Sequence, residues 1–258
     1  MRIHYPILGL RAGAGAALLA LAGCSVYLPT VPSTPLVQRG QVEVTAGLRT
    51  LTTLEAGAAF SPKSHVLFSA EAALQRVTST ETRNNVTTKN LDTHQQVGLG
   101  VGAYTVTKAP NPLYLAAVAG VGYADVDIHD YGILSATRHY QAQYQRFYGQ
   151  LYLAALEPGG SYGISVRGTW VDYRQLLEDG VPIEATNRFY LEPHFFGRVG
   201  SGPVQGYATL GVSLPAVRER TSSSSTSALA PSTLLLGAGI IFRPHLLRQP
   251  AVAPPPGQ

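Results

Sequence analysis

The sequence predicts an all-β protein: an antiparallel up-and-down transmembrane β-barrel of about ten strands, preceded by a signal peptide and a Pro-rich tether. Three observations predict it. Apolar and other residues alternate along one segment after another, the period of a half-buried strand. The connections alternate between tight turns and long polar loops. One face of the alternation carries no charge over the nine or ten residues that a tilted strand needs to cross a bilayer.

The elements follow in order. In QVEVTAGLR (41–49), Val42, Val44, Ala46 and Leu48 face one way, and Gln41, Glu43, Thr45, Gly47 and Arg49 the other. Leu54, Ala56, Ala58 and Phe60 then oppose Glu55, Gly57 and Ala59. Val66, Phe68, Ala70, Ala72 and Leu74 oppose Ser69, Glu71, Ala73 and Gln75. Val97, Leu99 and Val101 oppose Gln96, Gly98, Gly100, Gly102 and Tyr104. Residues 113–127 are apolar on both faces and leave their register open. Phe147, Leu151 and Leu153 oppose Arg146, Tyr148, Gln150 and Tyr152; Ile164, Val166 and Trp170 oppose Ser165, Arg167 and Thr169. Phe189, Leu191, Phe195 and Val199 oppose Glu192, His194 and Arg198. Ala208, Leu210, Val212 and Leu214 oppose Tyr207, Thr209 and Ser213; Leu234, Leu236, Ala238, Ile240 and Phe242 close the series against Thr233, Gly237, Gly239 and Arg243.

Tight turns fall at 61–64, 108–112, 157–161 and 200–203, and long polar loops at about 77–93, 129–139, 174–187 and 217–231. The loop near Leu51–Thr53 is a short exception. An even strand count with short turns at one end places the start of the barrel on the short-turn, periplasmic side. Pro193 faces outward within its strand and lacks an N–H, which predicts a bulge or a local edge there.

Composition agrees. Only 13% of the 258 residues are charged, with 27 glycines and 14 tyrosines, whereas about 25% charged is usual in a soluble domain. The barrel is assigned to 39–243, and the Pro-rich end, 244–258, reads as a disordered tail.

The N-terminus is a secretory signal. Arg2 and Arg11 precede an apolar run from Ala12 to Gly23 with no acid before Cys24. At roughly 12 residues the run is too short to span a bilayer as a helix. Leu21-Ala22-Gly23-Cys24 resembles the lipobox of bacterial lipoproteins. The resemblance implies cleavage of residues 1–23 between Gly23 and Cys24, a diacylglycerol thioether on Cys24 and an acylated amine. Ser25 fits outer-membrane sorting, so the implied partners are outer-membrane lipid and the lipoprotein-sorting and barrel-assembly machineries. Residues 24–38 then form a Pro-rich tether that keeps Cys24 on the short-turn side. Cys24 is the only cysteine, which excludes internal disulfides and thiolate metal clusters. Signal removal lowers the formal charge from +4 to +2, so the basic balance gives no case for nucleic acid.

The two faces separate a membrane barrel from a soluble one. The polar face carries glycine, tyrosine and glutamine, with a network expected among Glu43, Glu55, Glu71, Arg146, Arg167, Glu192, His194 and Arg198, joined by Arg49. Buried charges are tolerable only when paired. Tyr162 and Trp170 bracket one strand as interfacial aromatics, and Phe242 ends the last. In these patterns residues 39–243 resemble the Gram-negative outer-membrane β-barrel families, from which the lipobox is a departure. A soluble, lipid-tethered periplasmic β-domain remains the alternative.

Enzymatic and metal signals are weak. Gly98-Leu99-Gly100-Val101-Gly102 lies inside a strand with no helix after it, so small lumen residues explain it better than a dinucleotide site. His129 and His139 flank a loop without metal-ligand spacing, and no metal or cofactor is expected. Ser165, Glu192 and His194 share one face of adjacent strands, the makings of a lipid hydrolase, but a structural polar network fits better. The functional expectation is a structural or surface-interaction barrel without turnover, its loops meeting an unidentified extracellular partner. A narrow conduit or a lipid-binding barrel is the alternative.

Overall fold

The computed structural model describes residues 26–31, 33–83, 86–108, 110–130, 137–184, 187–216 and 233–248. Residues 1–25, on which the expected signal peptide and Cys24 fall, lie outside the described residues, as do parts of the connections at 131–136 and 217–232. The strands are β1 (Val42–Arg49), β2 (Thr53–Phe60), β3 (Val66–Arg83), β4 (Val86–Val106), β5 (Leu113–Asp130) and β6 (Arg138–Glu157). They continue as β7 (Gly160–Glu178), β8 (Val181–Pro182), β9 (Arg188–Val199), β10 (Val204–Pro215) and β11 (Thr233–Phe242). Each long strand pairs antiparallel with its neighbours in sequence, and β1 pairs with β11 to close a ten-stranded barrel. β8 only forms a small hairpin on the end of β7, so β9 is the other neighbour of β7 in the ring.

The predicted faces hold on every strand. Phe68, Leu99, Val121, Leu151, Phe195 and Ile240 stand on the outside with about half or more of their surface exposed. Glu43, Arg49, Arg146, Arg167, Glu192 and His194 are buried inside. The register that β5 left open resolves with Leu115, Val121 and Tyr123 outward and Tyr114, Val118 and Val126 inward. Both faces can be apolar because the inner one packs against tyrosines of β6.

The tight turns lie where the alternation predicted. The far end differs. The expected loop at 77–93 is mostly strand, because β3 and β4 stay paired from Val66–Ala103 to Arg83–Val86. Its six threonines suit a ladder that continues beyond the barrel wall. The loop near Leu51 is a tight turn in which Thr50 and Leu51 both take positive φ, 47° and 64°, with Thr52 N–H donating to the Arg49 carbonyl at 3.3 Å. That is the geometry of a primed hairpin turn.

Pro193 makes neither bulge nor edge. Its strand runs on in one register, and the β9–β10 ladder merely skips Val212 and Ser213 before resuming at Leu214–Leu191. Pro193 has no N–H to give the β10 ladder, and the pairs on either side carry the strand past the missing rung. The bulge is elsewhere: Gln143 pairs with Gln175 and Tyr144 with Tyr173, leaving Arg174 as the extra residue. The Pro-rich tail is also ordered at its start, where Pro244–Arg248 makes a 3₁₀ turn and His245 Nδ1 lies 3.2 Å from the Val42 carbonyl oxygen. Residues 249–258 lie outside the described residues.

The largest departure concerns residues 26–38. The described ones, 26–31 and 33–38, form no strand and run inside the barrel. Val26, Tyr27, Thr30, Thr34, Leu36 and Val37 are all buried. Two apolar clusters hold the ends of this segment. Val26 and Tyr27 pack with Val126, Ile128, Tyr140 and Tyr190, and Leu36 and Val37 with Leu67, Tyr114, Tyr152 and Phe196.

Candidate functional site

The lumen is the candidate site, and its chemistry explains why the segment lies there. A proline-rich chain has few N–H donors and many carbonyls, so an interior lined with donors can satisfy it. Gln150 Nε2 donates to the Ser33 carbonyl at 2.9 Å, Tyr152 Oη to that of Pro35 at 2.8 Å and Tyr114 Oη to that of Val37 at 2.9 Å. Arg198 donates to the Thr34 carbonyl and Arg146 Nη1 to Thr30 Oγ1 at 3.1 Å. Val31 N–H donates to Glu55 Oε1 at 3.1 Å. Tyr27 stacks on Tyr190 at 4.1 Å and donates to Glu192 Oε1 at 2.8 Å.

These contacts fix the direction. From Tyr27 to Pro35 the partners on β6 descend from Tyr144 through Arg146 and Gln150 to Tyr152, away from the long-loop end. At the short-turn end the chain reverses through Gly40, φ 76°, whose N–H donates to the Ser61 carbonyl at 2.7 Å, and climbs again as β1. The barrel therefore starts on the short-turn side as expected, but the segment before it begins at the opposite end. The expectation that a tether holds Cys24 on the short-turn side does not follow from this path.

The buried charges of the lumen pair as follows, with His194, expected among them, making no hydrogen bond among the described residues. Glu71 is shared by two arginines, Arg146 at 2.6 Å and Arg167, whose Nη2 lies 2.9 Å from Oε2 and Nη1 3.1 Å from Oε1. Arg167 also stacks on Tyr148 with its Cζ 4.3 Å from the ring centroid. Glu55 pairs with Arg49 at 3.2 Å. Glu43 takes Arg198 and Arg243, each at 2.9 Å. Glu192 is held by hydroxyls instead, those of Tyr27, Thr169 and Ser213 at 2.8, 3.0 and 3.1 Å. Glycines make the room: a Cβ on Gly98 would stand 3.0 Å from Arg146 Nη2, and one on Gly122 would meet the same side chain at 2.6 Å.

The sequence missed two members. Arg243 stands on the inner side of the last strand's alternation, but nothing in the sequence pairs it with Glu43. The inner segment had a signal too: SVYLPTVPSTPLVQ has no charge and six large apolar side chains, which is unusual for a tether in water.

The hydrolase geometry is not assembled. Ser165 and His194 are register partners, yet Ser165 Oγ accepts from Gln150 Nε2 at 3.0 Å, and neither nitrogen of buried His194 has a partner among the described residues. Register does unite the two histidines that sequence spacing separated. His129 and His139 pair across β5 and β6 and stack at 4.4 Å. His129 Nδ1 lies 2.8 Å from Asp92 Oδ1 and His139 Nε2 2.7 Å from Asp127 Oδ1. Asp127, His129 and His139 hold their ligand atoms within 4.8 Å of one another, a partly exposed cluster on the part of the wall nearest the long loops.

No protein family matches the chain, and no curated protein does. Among solved structures it is similar to an outer membrane channel from Pseudomonas putida F1, at 8% identity over 84% of this chain and 100% of that one. The TM-score is 0.37, a likeness too slight to bear on what this chain does.

Proposed function

We propose that the protein is an outer-membrane β-barrel, lipid-anchored through Cys24, that closes its lumen with its own residues 26–38 and serves a structural or surface-interaction role without turnover. One observation carries the membrane reading: the faces are inverted relative to a soluble barrel. Large apolar side chains stand exposed on every long strand, while the buried arginines and glutamates lie inside, beside tyrosines and the two apolar clusters that pack on the inner segment. An apolar surface this extensive marks a lipid contact. Between Tyr162 and Trp170 on β7 the outward residues are Ile164, Val166 and Gly168, about 26 Å of strand, which matches the apolar band of such barrels. Phe147, Trp170 and Phe189 lie side by side in register as one aromatic row, and Phe60 pairs with Phe68 at the other rim. Beyond the first row the outer face turns polar, with Asp125, Gln141, Gln143 and Arg174.

The chain lacking residues 1–24 tests this. It should stay insoluble in buffer and fold only in detergent or lipid, with β circular dichroism and heat-modifiable gel migration. A soluble, monomeric, cooperatively folded product would leave the tethered soluble domain instead. Closure is tested by conductance. Beside Thr30, Val31, Ser33 and Thr34 the space left against the wall is about 50 Å³, room for a few waters. The refolded protein should therefore show no single-channel steps, and steady ionic conductance would favour the conduit.

A further inference from the structure

We infer that the N-terminus joins the barrel from the long-loop end, so that the acyl group of Cys24 reaches the outer leaflet over a low stretch of the rim. The inference rests on the barrel and lipobox readings above and adds the side and the place. The direction of residues 26–38 supplies the side. Val26 is buried with Val126, Ile128, Tyr140 and Leu176, at the level where β5 and β6 rise beyond the last outward apolar residues, Tyr123 and Phe147. Two residues span at most about 7 Å. The short-turn end of β6 lies thirteen residues below Tyr144, about 43 Å along the strand. A group on Cys24 cannot reach that end, and the lumen route is filled by residues 26–38.

The rim supplies the place. β2 and β3 stay paired only up to Thr53–Gln75, and β3 then continues to Arg83. The wall therefore drops at the β1–β2 turn to the level of the outward apolar band. Leu51 at the tip of that turn is 88% exposed, directly above outward-facing Leu48 and Leu54. A mostly apolar cavity of about 800 Å³ spans this step. Tyr27 and Leu28 line it on the lumen side, and Leu48, Leu51, Leu234 and Leu236 on the rim and outer side. Acyl chains are the occupant this chemistry fits. They are apolar, they are tied to the residue two before Val26, and the cavity opens onto side chains that already face lipid. An acyl chain in water would lose about 0.8 kcal/mol of burial for each CH₂, so the chains should follow the leucines into the bilayer.

The experiment is epitope labelling on intact cells expressing the full, lipidated chain. One variant carries a short tag between Ser25 and Val26, a second between Asp179 and Gly180 at the long-loop end, and a third between Pro158 and Gly159 at the short-turn end. The expected result is antibody binding to the first two on intact cells and to the third only after permeabilisation. Binding to the Ser25–Val26 tag only after permeabilisation, with the Asp179–Gly180 tag exposed, overturns the inference and leaves the barrel reading intact. Exposure of the Pro158–Gly159 tag with protection of Asp179–Gly180 overturns the orientation itself. Incorporation of labelled palmitate in all three, absent from a Cys24→Ser variant, separates these outcomes from a failure of the lipobox reading.

Discussion

Glu71 shows what a single residue does in this lumen. Its carboxylate balances two buried guanidinium groups, Arg146 and Arg167. Glu71→Gln leaves both charges in place with no counter-ion, which should cost about 3–5 kcal/mol. The expected readout is a lower midpoint in denaturant titrations of the refolded barrel. Removing Arg167 as well should recover part of the loss, because the two changes act on one network. Gly122 is the steric counterpart. Its missing Cβ is where Arg146 passes, and Gly122→Val should destabilise by about 1–3 kcal/mol through overpacking. The same change at Gly149, where a Cβ would meet nothing within 4 Å, should be tolerated, and an equal loss at both sites would argue against the packing account.

Among the elements, residues 26–38 are the least regular and the most consequential. They have no strand partner, so side chains hold them in place: carbonyls of 33, 34, 35 and 37 each accept from a different barrel side chain. Replacing residues 26–38 with a Gly/Ser stretch of equal length removes the buried Val26, Tyr27, Leu36 and Val37 contacts. The barrel ladders remain. The prediction is a barrel that still shows heat-modifiable migration, with a lower unfolding midpoint and single-channel steps absent from the wild type. A silent replacement barrel would mean that wall side chains alone close the lumen. Such a wide effect from one short segment fits a ten-stranded interior, which is somewhat wider than the eight-stranded interior that wall side chains just fill.

For the whole molecule, the bilayer is, on the proposed reading, the solvent of the exposed apolar face. An arginine placed mid-strand on the outside, Val166→Arg, should cost about 2–4 kcal/mol near the bilayer midplane. Arg174 already sits outward at 57% side-chain exposure beyond the aromatic row, so Gln175→Arg there should be nearly neutral. Folding yield in lipid vesicles compares the two. Equal tolerance at both positions would contradict a bilayer across the middle of β7.

How much of this was legible in the sequence depends on the range of the interaction. Period-two alternation is set by the pleat of a single strand, so the inward side of Glu43, Arg146, Arg167 and Arg198 was readable without partners. Turn lengths are local too, and the tight turns at 61–64 and 157–161 fell where they were expected. Pairing across the lumen was not readable, because it depends on strand stagger: nothing in the chain says that Glu71 faces Arg146 and Arg167, or that Glu43 takes Arg243. The same holds for His129 and His139, which register unites. The path of residues 26–38 was the hardest to read. Its prolines fixed an extended backbone with few donors, but only the closed barrel, with Gln150, Tyr152, Tyr114 and Arg198 pointing inward, supplies enough donors to draw that backbone inside. By itself the sequence determined the two faces of most strands and the short-turn end of the barrel, whereas the faces of β5 and the extension of β3 and β4 past the wall came only with strand pairing. The tertiary structure decided what fills the lumen and at which end the chain enters it, because both depend on groups brought together from strands more than a hundred residues apart.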